Sequence, residues 1–428
     1  MTVSFREIEK SSHDAFLSGH CKEHFMQSSV WGQIKSAGGA WHEQTVGLFC
    51  DDELKASAML LWRKLPVIGK KLYYAPRGFV IDYSDWDLVA LFTQQIKDFI
   101  KKNGAVYLLV DPDHHYQVQD EYDNVLKEKD DFVEKMISLG YRHNGFNMGF
   151  EGTQPRYTFR LYLEGTIDDV YGRFDRFTKK NLRQCEENGI EVYEEDNIDL
   201  FYEIMTETAV RDNFVQSPKA YYDRVYHTLK PLGMSNMYFA KYSPARHLEL
   251  INGQLEQAQK AIGEVEAKLA VKDTPKQRTA LLQANQKKER FEKLRATAEK
   301  YQQEYPEGIV LSTGININSD HRGWTIFGGS RPILREMNAN YAITYHAIKE
   351  YHKKGMEFMD FFGTIGNPAE GSDHWGIHRF KKKFSGRYVE FPGEFHLVVN
   401  KFWYKLWNTM YPIGLKAAKG LKKALRRG

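Results

Sequence analysis

The run AVYLLVDPDHHY ends in two carboxylates, Asp111 and Asp113, at the point where Pro112 forces the chain out of a sheet. Acids at the carboxyl end of a strand in an α/β lobe face a crevice, where they can take part in acid–base chemistry. An ordinary Asp-Pro turn is the alternative reading. His114 and His115 follow directly, but adjacent side chains point apart, so no metal site is expected. Near the other end, GIHRFKKKFSGR sets Lys381, Lys382 and Lys383 between Phe380 and Phe384. Three successive lysines form a solvated basic face by default; flanking aromatics point instead to partial burial. Two further cations stand in suggestive company. Lys35 lies one helical turn after Trp31, where it can snorkel over the ring. Arg77 precedes Gly78 at a strand end, where a guanidinium could hold a phosphate bidentately or pair with a structural carboxylate.

These residues need elements to position them, and the hydrophobic periods supply two similar sets. KLYYAPRGFVI and AVYLLVDPD read as strands around a helix from Asp85 to Asn103. A second set runs from PRYTFRLYLEG through the helical FDRFTKKNLRQCEENG, stopped by Gly189, to IEVYEED. IVLSTGINI, GWTIFGGS and MEFMDFFG read as later strands, with a helix from Asn340 to Lys353. The order predicts an α/β protein of two lobes, 1–155 and 156–389.

Within the second lobe, Leu248, Ile251, Leu255, Ala258, Ile262, Val265 and Leu269 fall on alternating three- and four-residue steps. Ala280, Ala284, Lys287, Phe291, Leu294, Ala298, Tyr301 and Tyr305 repeat the pattern apart from Lys287, and Pro275 divides the two series. The spacing predicts an antiparallel helical coiled-coil hairpin over 245–305, its arms about 25 residues or roughly 37 Å long. Lys287, Lys288, Arg290, Lys293 and Arg295 form a basic stripe suited to a nucleic-acid backbone, or a solvated coiled-coil face nearly balanced by glutamates.

Composition is globular, and 428 residues suffice for two to three domains. Cys21, Cys50 and Cys185 lack metal-like spacing and read as reduced thiols of a cytoplasmic protein. The N-terminal stretch has no apolar signal region, and no apolar run reaches membrane-spanning length. The net charge of +4 conceals eight basic residues and no acid from Lys401 to Gly428. There Trp403 and Trp407 precede a basic helical stripe that includes Lys419, Lys422 and Lys423, the build of a segment lying on an anionic membrane surface. A solubilising helical end is the plainer alternative. GxxxxGK[ST], HExxH, GxSxG and CxxC are all missing, which argues against P-loop, zinc-protease, serine-hydrolase and thioredoxin chemistry.

WGQIK, YAPRGF, DPD after a strand, FTKKNLRQCEENGIEV, TAVRDNF, IFGGS, YAITYHAIKEYHKKGMEFMDFFG and the late FKKKF occur in one order around the predicted hairpin. In this the chain resembles the FemABX family of peptidoglycan-bridge aminoacyltransferases, and among them the arm-bearing FemA, FemB, MurM and MurN type. The resemblance implies two lobes of GNAT-like fold, with segment 390–428 returning to the first and the arm inserted in the second. It also implies transfer of an amino acid, with alanine or serine favoured and glycine possible, from aminoacyl-tRNA to the lysine amine of a muropeptide stem, with lipid II the favoured acceptor. The donor is an activated ester, so no cofactor or metal is implied. Asp111 matches the family's active-site carboxylate, Lys35 and Tyr221 its muropeptide-binding positions, and Phe380 with Lys381 the pair attributed to the donor's 3′ end. Arg77 and Phe327 are further muropeptide candidates; Lys382, Lys383, Lys287 and Arg290 are candidates for tRNA contact. Ser217 departs from the family pattern, which often carries Arg there to hold a phosphate. A monomer at the inner face of the membrane is expected. The alternatives are a GNAT acyl-CoA acyltransferase, which would want an [RQ]xxGx[GA] loop not found here, and a membrane-tethered RNA-binding scaffold.

Overall fold

The computed structural model describes the chain except for residues 1, 67, 373 and 410–428; Lys419, Lys422 and Lys423 therefore lie outside the described residues. Among those described, the strands form two sheets. The first has the order Val3–Glu7, His42–Cys50, Glu53–Lys64, Lys71–Ala75, Ala105–Val110, Phe395–Val398, Tyr141–His143. The second runs Ile190–Glu194, Ser235–Tyr242, Ile309–Asn318, Arg322–Ser330, Phe358–Asp360, Tyr157–Tyr162, Arg387–Glu390, Gln117–Gln119, Val125–Lys127.

Each sheet is antiparallel but for one internal parallel pair, and each parallel pair needs a long crossover. Lys71–Ala75 and Ala105–Val110 are bridged by the helix Trp86–Lys102, whose Val89, Phe92, Ile96 and Ile100 face the core. Asp85 caps it, its Oδ1 accepting from the Leu88 amide at 2.9 Å. Arg322–Ser330 and Phe358–Asp360 are bridged in the same way by Ala339–Lys353. Asp111 directly follows the second strand of one pair, and Asp360 ends the second strand of the other.

The lobes exchange strands. Although drawn from sequence inside the first lobe, the hairpin Gln117–Lys127 joins the second sheet, where Val118 pairs with Val389. In return Phe395–Val398 pairs with both Ala105–Val110 and Tyr141–His143 of the first sheet. A boundary at 155 thus cuts through a region whose backbone hydrogen bonds run both ways. An apolar cluster unites the lobes: Ile34, Leu61 and Leu72 from the first, Val225, Leu229 and Ile317 from the second. Trp324, wholly buried, sits at its centre with ring centroids 5.0 Å from Phe25 and 4.7 Å from His24.

The helices Pro244–Val271 and Pro275–Glu304 pack on each other as a hairpin. Ile251, Leu255 and Ala298 are buried at its base with Leu248, Phe291 and Leu294 against them. Lys287 occupies an apolar position of the sequence repeat; it is exposed, its Nζ 5.7 Å over the Phe291 ring.

Residues 401–409 are helical, and here one sequence expectation is corrected. Trp407 is not offered to a membrane: it is buried with Tyr404 in the inter-lobe cluster, because positions three apart share a helix face. Trp403 is half-buried against the same cluster. Phe402 points away, 69% exposed, so the aromatic surface of this helix is a different residue from the two expected. Among the described residues no helix is long and apolar enough to cross a membrane.

Candidate functional site

The chemistry-bearing residues converge on the seam between the lobes. The strand Lys71–Ala75 ends in a turn where Arg77 and Gly78 adopt φ of +61° and +95°. At Gly78 any Cβ would meet Tyr83 and Pro112, so only glycine fits. The left-handed turn aims the Arg77 amide at Asp111, whose Oδ1 accepts it at 2.6 Å. Tyr74, on the same strand, donates its hydroxyl to Asp111 Oδ2 at 2.9 Å and itself accepts from Gln154 Nε2 at 3.2 Å. Asp111 is 3% exposed, and burial pushes its pKa up to about 7 against the opposing pull of Arg77 and the Tyr74 bond. The Arg77 guanidinium reaches across the seam to the Pro155 carbonyl at 3.1 Å and lies 4.6 Å over the Phe391 ring. Its hydrogen-bond partner within the fold is thus a backbone carbonyl and not the carboxylate that sequence offered as one alternative.

On the other side, the helix Trp375–Lys382 carries Lys381 inward. Its Nζ donates to the Gly363 carbonyl at 2.5 Å and to the Phe362 carbonyl. Burial brings its pKa down to about 7, with Asp360 pulling the other way. The aspartate and lysine sites are joined through Pro155: a Cβ built on Gly363 would stand 2.9 Å from the Pro155 ring, whose carbonyl holds Arg77.

A second chain of contacts runs beside the first. Arg160 donates from Nη2 to Asp113 Oδ2 at 2.5 Å, from Nε to Asp360 Oδ2 at 2.8 Å, and from Nη1 to His115 Nε2 at 2.6 Å. His115 accordingly stays neutral, its pKa driven down to about 3 by burial and by Arg160. Asp360 Oδ1 accepts from Thr158 Oγ1 and from the Phe362 amide at 2.8 Å.

Lys35, Tyr221 and Phe327 come together further along the same boundary. Ser28 caps the helix Ser29–Ser36, and that helix places Lys35 Nζ 5.0 Å over Tyr221 and 5.7 Å over Trp31. Phe327 packs on Tyr222 at 5.0 Å and on Tyr221 at 6.2 Å. Arg224, one turn from Tyr221 on the helix Lys219–Leu229, approaches Lys35 closely enough to lower its pKa after burial has done so. The Arg224 Nε is buried without a hydrogen-bond partner. Lys35 between two aromatic rings, with the Arg224 cation beside it, makes a site that can take an anion.

A model of the FemAB family matches residues 8–412. This chain belongs to the FemAB family. It is 26% identical over 426 residues to the lipid II:glycine glycyltransferase of Staphylococcus aureus strain USA300, covering 98% of this chain and 99% of that one. The same figures hold for the strain Mu50 protein. Among solved structures, that of FemX superposes with a TM-score of 0.79 at 26% identity, covering 94% of this chain and 99% of that chain.

In this FemAB chain Phe380, Lys382 and Lys383 have partners of their own. Phe380 packs on Tyr341 and Phe384 at 5.0 and 5.3 Å. Lys382 pairs with both Asp123 oxygens at 2.6 Å, and Lys383 lies 4.1 Å over Phe177. Arg290 is exposed and lines a shallow cavity of about 370 Å³ on the second arm helix with Gln286 and Lys293, remote in sequence from the seam. Sequence reading did not single out Tyr74, Gln154, Arg160, Arg224 or Asp360. For Arg160 and Asp360 a signal existed: Arg160 is a charge inside the strand Tyr157–Tyr162 and Asp360 closes the apolar strand Phe358–Asp360, positions that are buried only when the charge is paired.

Proposed function

We propose that this FemAB-family chain is an aminoacyltransferase that forms a peptide bond between an aminoacyl group carried by tRNA and the stem-lysine amine of lipid II. The observation that carries the reading is the pair Asp111 and Lys381, buried on facing sides of one seam with both pKa values near 7.

The acceptor amine, with an ordinary pKa near ~10.4, is charged at neutral pH, and its neutral form lies about 4.6 kcal/mol higher. An aspartate at its ordinary value would be about 9 kcal/mol uphill as a proton acceptor from such an amine; one near 7 halves that gap. Asp111 orients the ammonium and takes its proton. The freed nitrogen attacks the ester carbonyl, the C–N bond forms, and Lys381 stabilises the oxyanion. The C–O bond to the ribose then breaks, the attacking nitrogen gives its second proton to the departing ribose oxygen, and the first proton leaves Asp111 for solvent as product departs. Because both groups are closed from solvent, substrate entry displaces segment 144–155, which contributes Gln154 to one and Pro155 to the other.

Lys35 and Arg224 hold the diphosphate of the acceptor, Arg224 supplying the cation that Ser217 lacks. No metal or organic cofactor takes part, since the ester is already activated. The acyl group is small: the sequence resemblance favours alanine or serine, and likeness to the staphylococcal glycyltransferase supports glycine. The test offers tRNA charged with each labelled amino acid, and acetyl-CoA in parallel, to lipid II in vesicles. Label from one charged tRNA on the stem lysine supports the reading. Label from acetyl-CoA alone would overturn it, as would full turnover by Asp111→Asn or Lys381→Ala.

A further inference from the structure

We propose that Asp360 is the positioning residue for Lys381, and that Arg160 ties this bracket to the loop bearing Asp111. The proposal rests on the assignment of Lys381 to the donor side. Among the described residues Lys381 meets no carboxylate directly; its Nζ is held by two consecutive backbone carbonyls, those of Phe362 and Gly363. For both carbonyls to face one ammonium, Phe362 must take a left-handed conformation, φ +49°, which a bulky residue adopts only under constraint. The constraint is visible. Asp360 Oδ1 accepts the Phe362 amide at 2.8 Å and the Thr158 hydroxyl, while Oδ2 is fixed by Arg160 Nε at 2.8 Å.

Arg160 in turn holds Asp113, two residues from Asp111 and on the other lobe. The donor bracket and the acceptor carboxylate are therefore held at a set separation by one guanidinium, whose planar fork suits two carboxylates at once. An ion triad this deeply buried is poor evidence of stability, because apolar replacement often does as well; fixing one geometry is the better-attested use.

The titratable groups facing Lys381 and Asp360 are Arg160, Asp113 and His115 from the strand side, and His378 and Lys382 from the helix that carries Lys381. The test uses full-length protein carrying [ε-13C]lysine, with the Lys381 signal assigned by its loss in Lys381→Arg. In Asp360→Asn, which keeps shape and loses charge, the Lys381 titration midpoint falls by about one pH unit. In the same variant turnover drops while KM for lipid II holds. Asp360→Glu restores the midpoint. A folded Asp360→Asn with an unmoved midpoint overturns the proposal. If that variant does not fold, Thr158→Val loosens the same carboxylate: a shifted Lys381 signal and lower turnover support the proposal, and an unchanged signal overturns it. Should Lys381→Ala retain turnover while Asp360→Asn still moves the midpoint, the donor-site reading fails and the positioning stands.

Discussion

Tyr74 donates to Asp111 Oδ2 over 2.9 Å from inside the first lobe's parallel strand pair. That bond favours the ionised carboxylate, as does the Arg77 amide, and both oppose the burial that raises Asp111. Tyr74→Phe removes one charge-assisted hydrogen bond, worth about 1.5 kcal/mol or more, and leaves the rest of the ring in place. The acid limb of kcat/KM should move up by about one pH unit, with activity at pH 8.5 changed less than at pH 6.5. A stationary limb would assign it to another group.

With Asp111 required ionised and Lys381 required charged, activity rises through pH 7 on one account and falls through pH 7 on the other. The expected profile is a narrow bell near neutrality, at whose top only about a quarter of molecules hold both charges. Lys381→Arg keeps a cation that does not titrate in this range, so the alkaline limb should vanish even if the maximum rate falls. A surviving alkaline limb would place that ionisation elsewhere, in the substrate amine for instance.

The same carboxylate makes a stability prediction of definite sign. Asp111 is raised in the fold, so its contribution is full below about pH 4, its ordinary range, and is lost as pH climbs through 7. Asp111→Asn, neutral at every pH, should therefore gain in Tm relative to the parent as pH goes from 5 to 8. A constant Tm difference across that range would show Asp111 to titrate normally.

Lys35 and Arg224 should act as one anion site. Each alanine substitution removes a charge-assisted contact of about 1.5–3 kcal/mol, a rise of roughly ten- to a hundredfold in KM for lipid II. A stem peptide lacking the diphosphate should bind both variants as it binds the parent. Equal losses on the two acceptors would move these cations away from the phosphates.

How legible was this in the sequence? Elements with one strong period were plain: the helix Trp86–Lys102, the apolar strand Ala105–Val110 with its terminal Asp111, and both arm helices. Lys381 stood out because Phe380 and Phe384 bracket it at helical spacing, although Lys382 and Lys383 look identical in sequence; only the helix register sends the first inward. The family resemblance implies the return of segment 390–428 to the first lobe, where Phe395–Val398 pairs; the passage of Gln117–Lys127 to the second sheet was hidden, since strands of three residues carry too few alternations to declare a partner sheet. Trp407 was misassigned because an aromatic beside basic residues has the same composition at a membrane as over a protein core; Tyr404, three residues earlier and bonded to His396 at 2.7 Å, decides for the core. Arg224 was passed over because its meaning lies in Lys35, which is distant in sequence and adjacent only across the lobes.

The arm offers the cleanest separation of substrate roles, because of where it is inserted. Its flanking strands, Ser235–Tyr242 and Ile309–Asn318, are antiparallel neighbours, and Tyr242 pairs with Ile309 at their junction. The arm thus interrupts a hairpin, and replacing Leu248–Glu304 with a short glycine linker leaves a short loop, residues 243–247 and 305–308 with the linker between them, joining strands that remain paired. The apolar packing removed with it is chiefly the arm's own, where Ile251, Leu255 and Ala298 bury one another at the base. Lys287 and Arg290 are exposed on the second arm helix, in reach of a polyanion and far along the chain from Lys35. Deletion should raise KM for aminoacyl-tRNA and leave KM for lipid II near its parent value. The rise should be larger at about 50 mM salt than at about 200 mM, because salt already weakens the phosphate contacts of the intact arm. Equal effects on both substrates would refute a tRNA role for the arm and assign it to the fold instead.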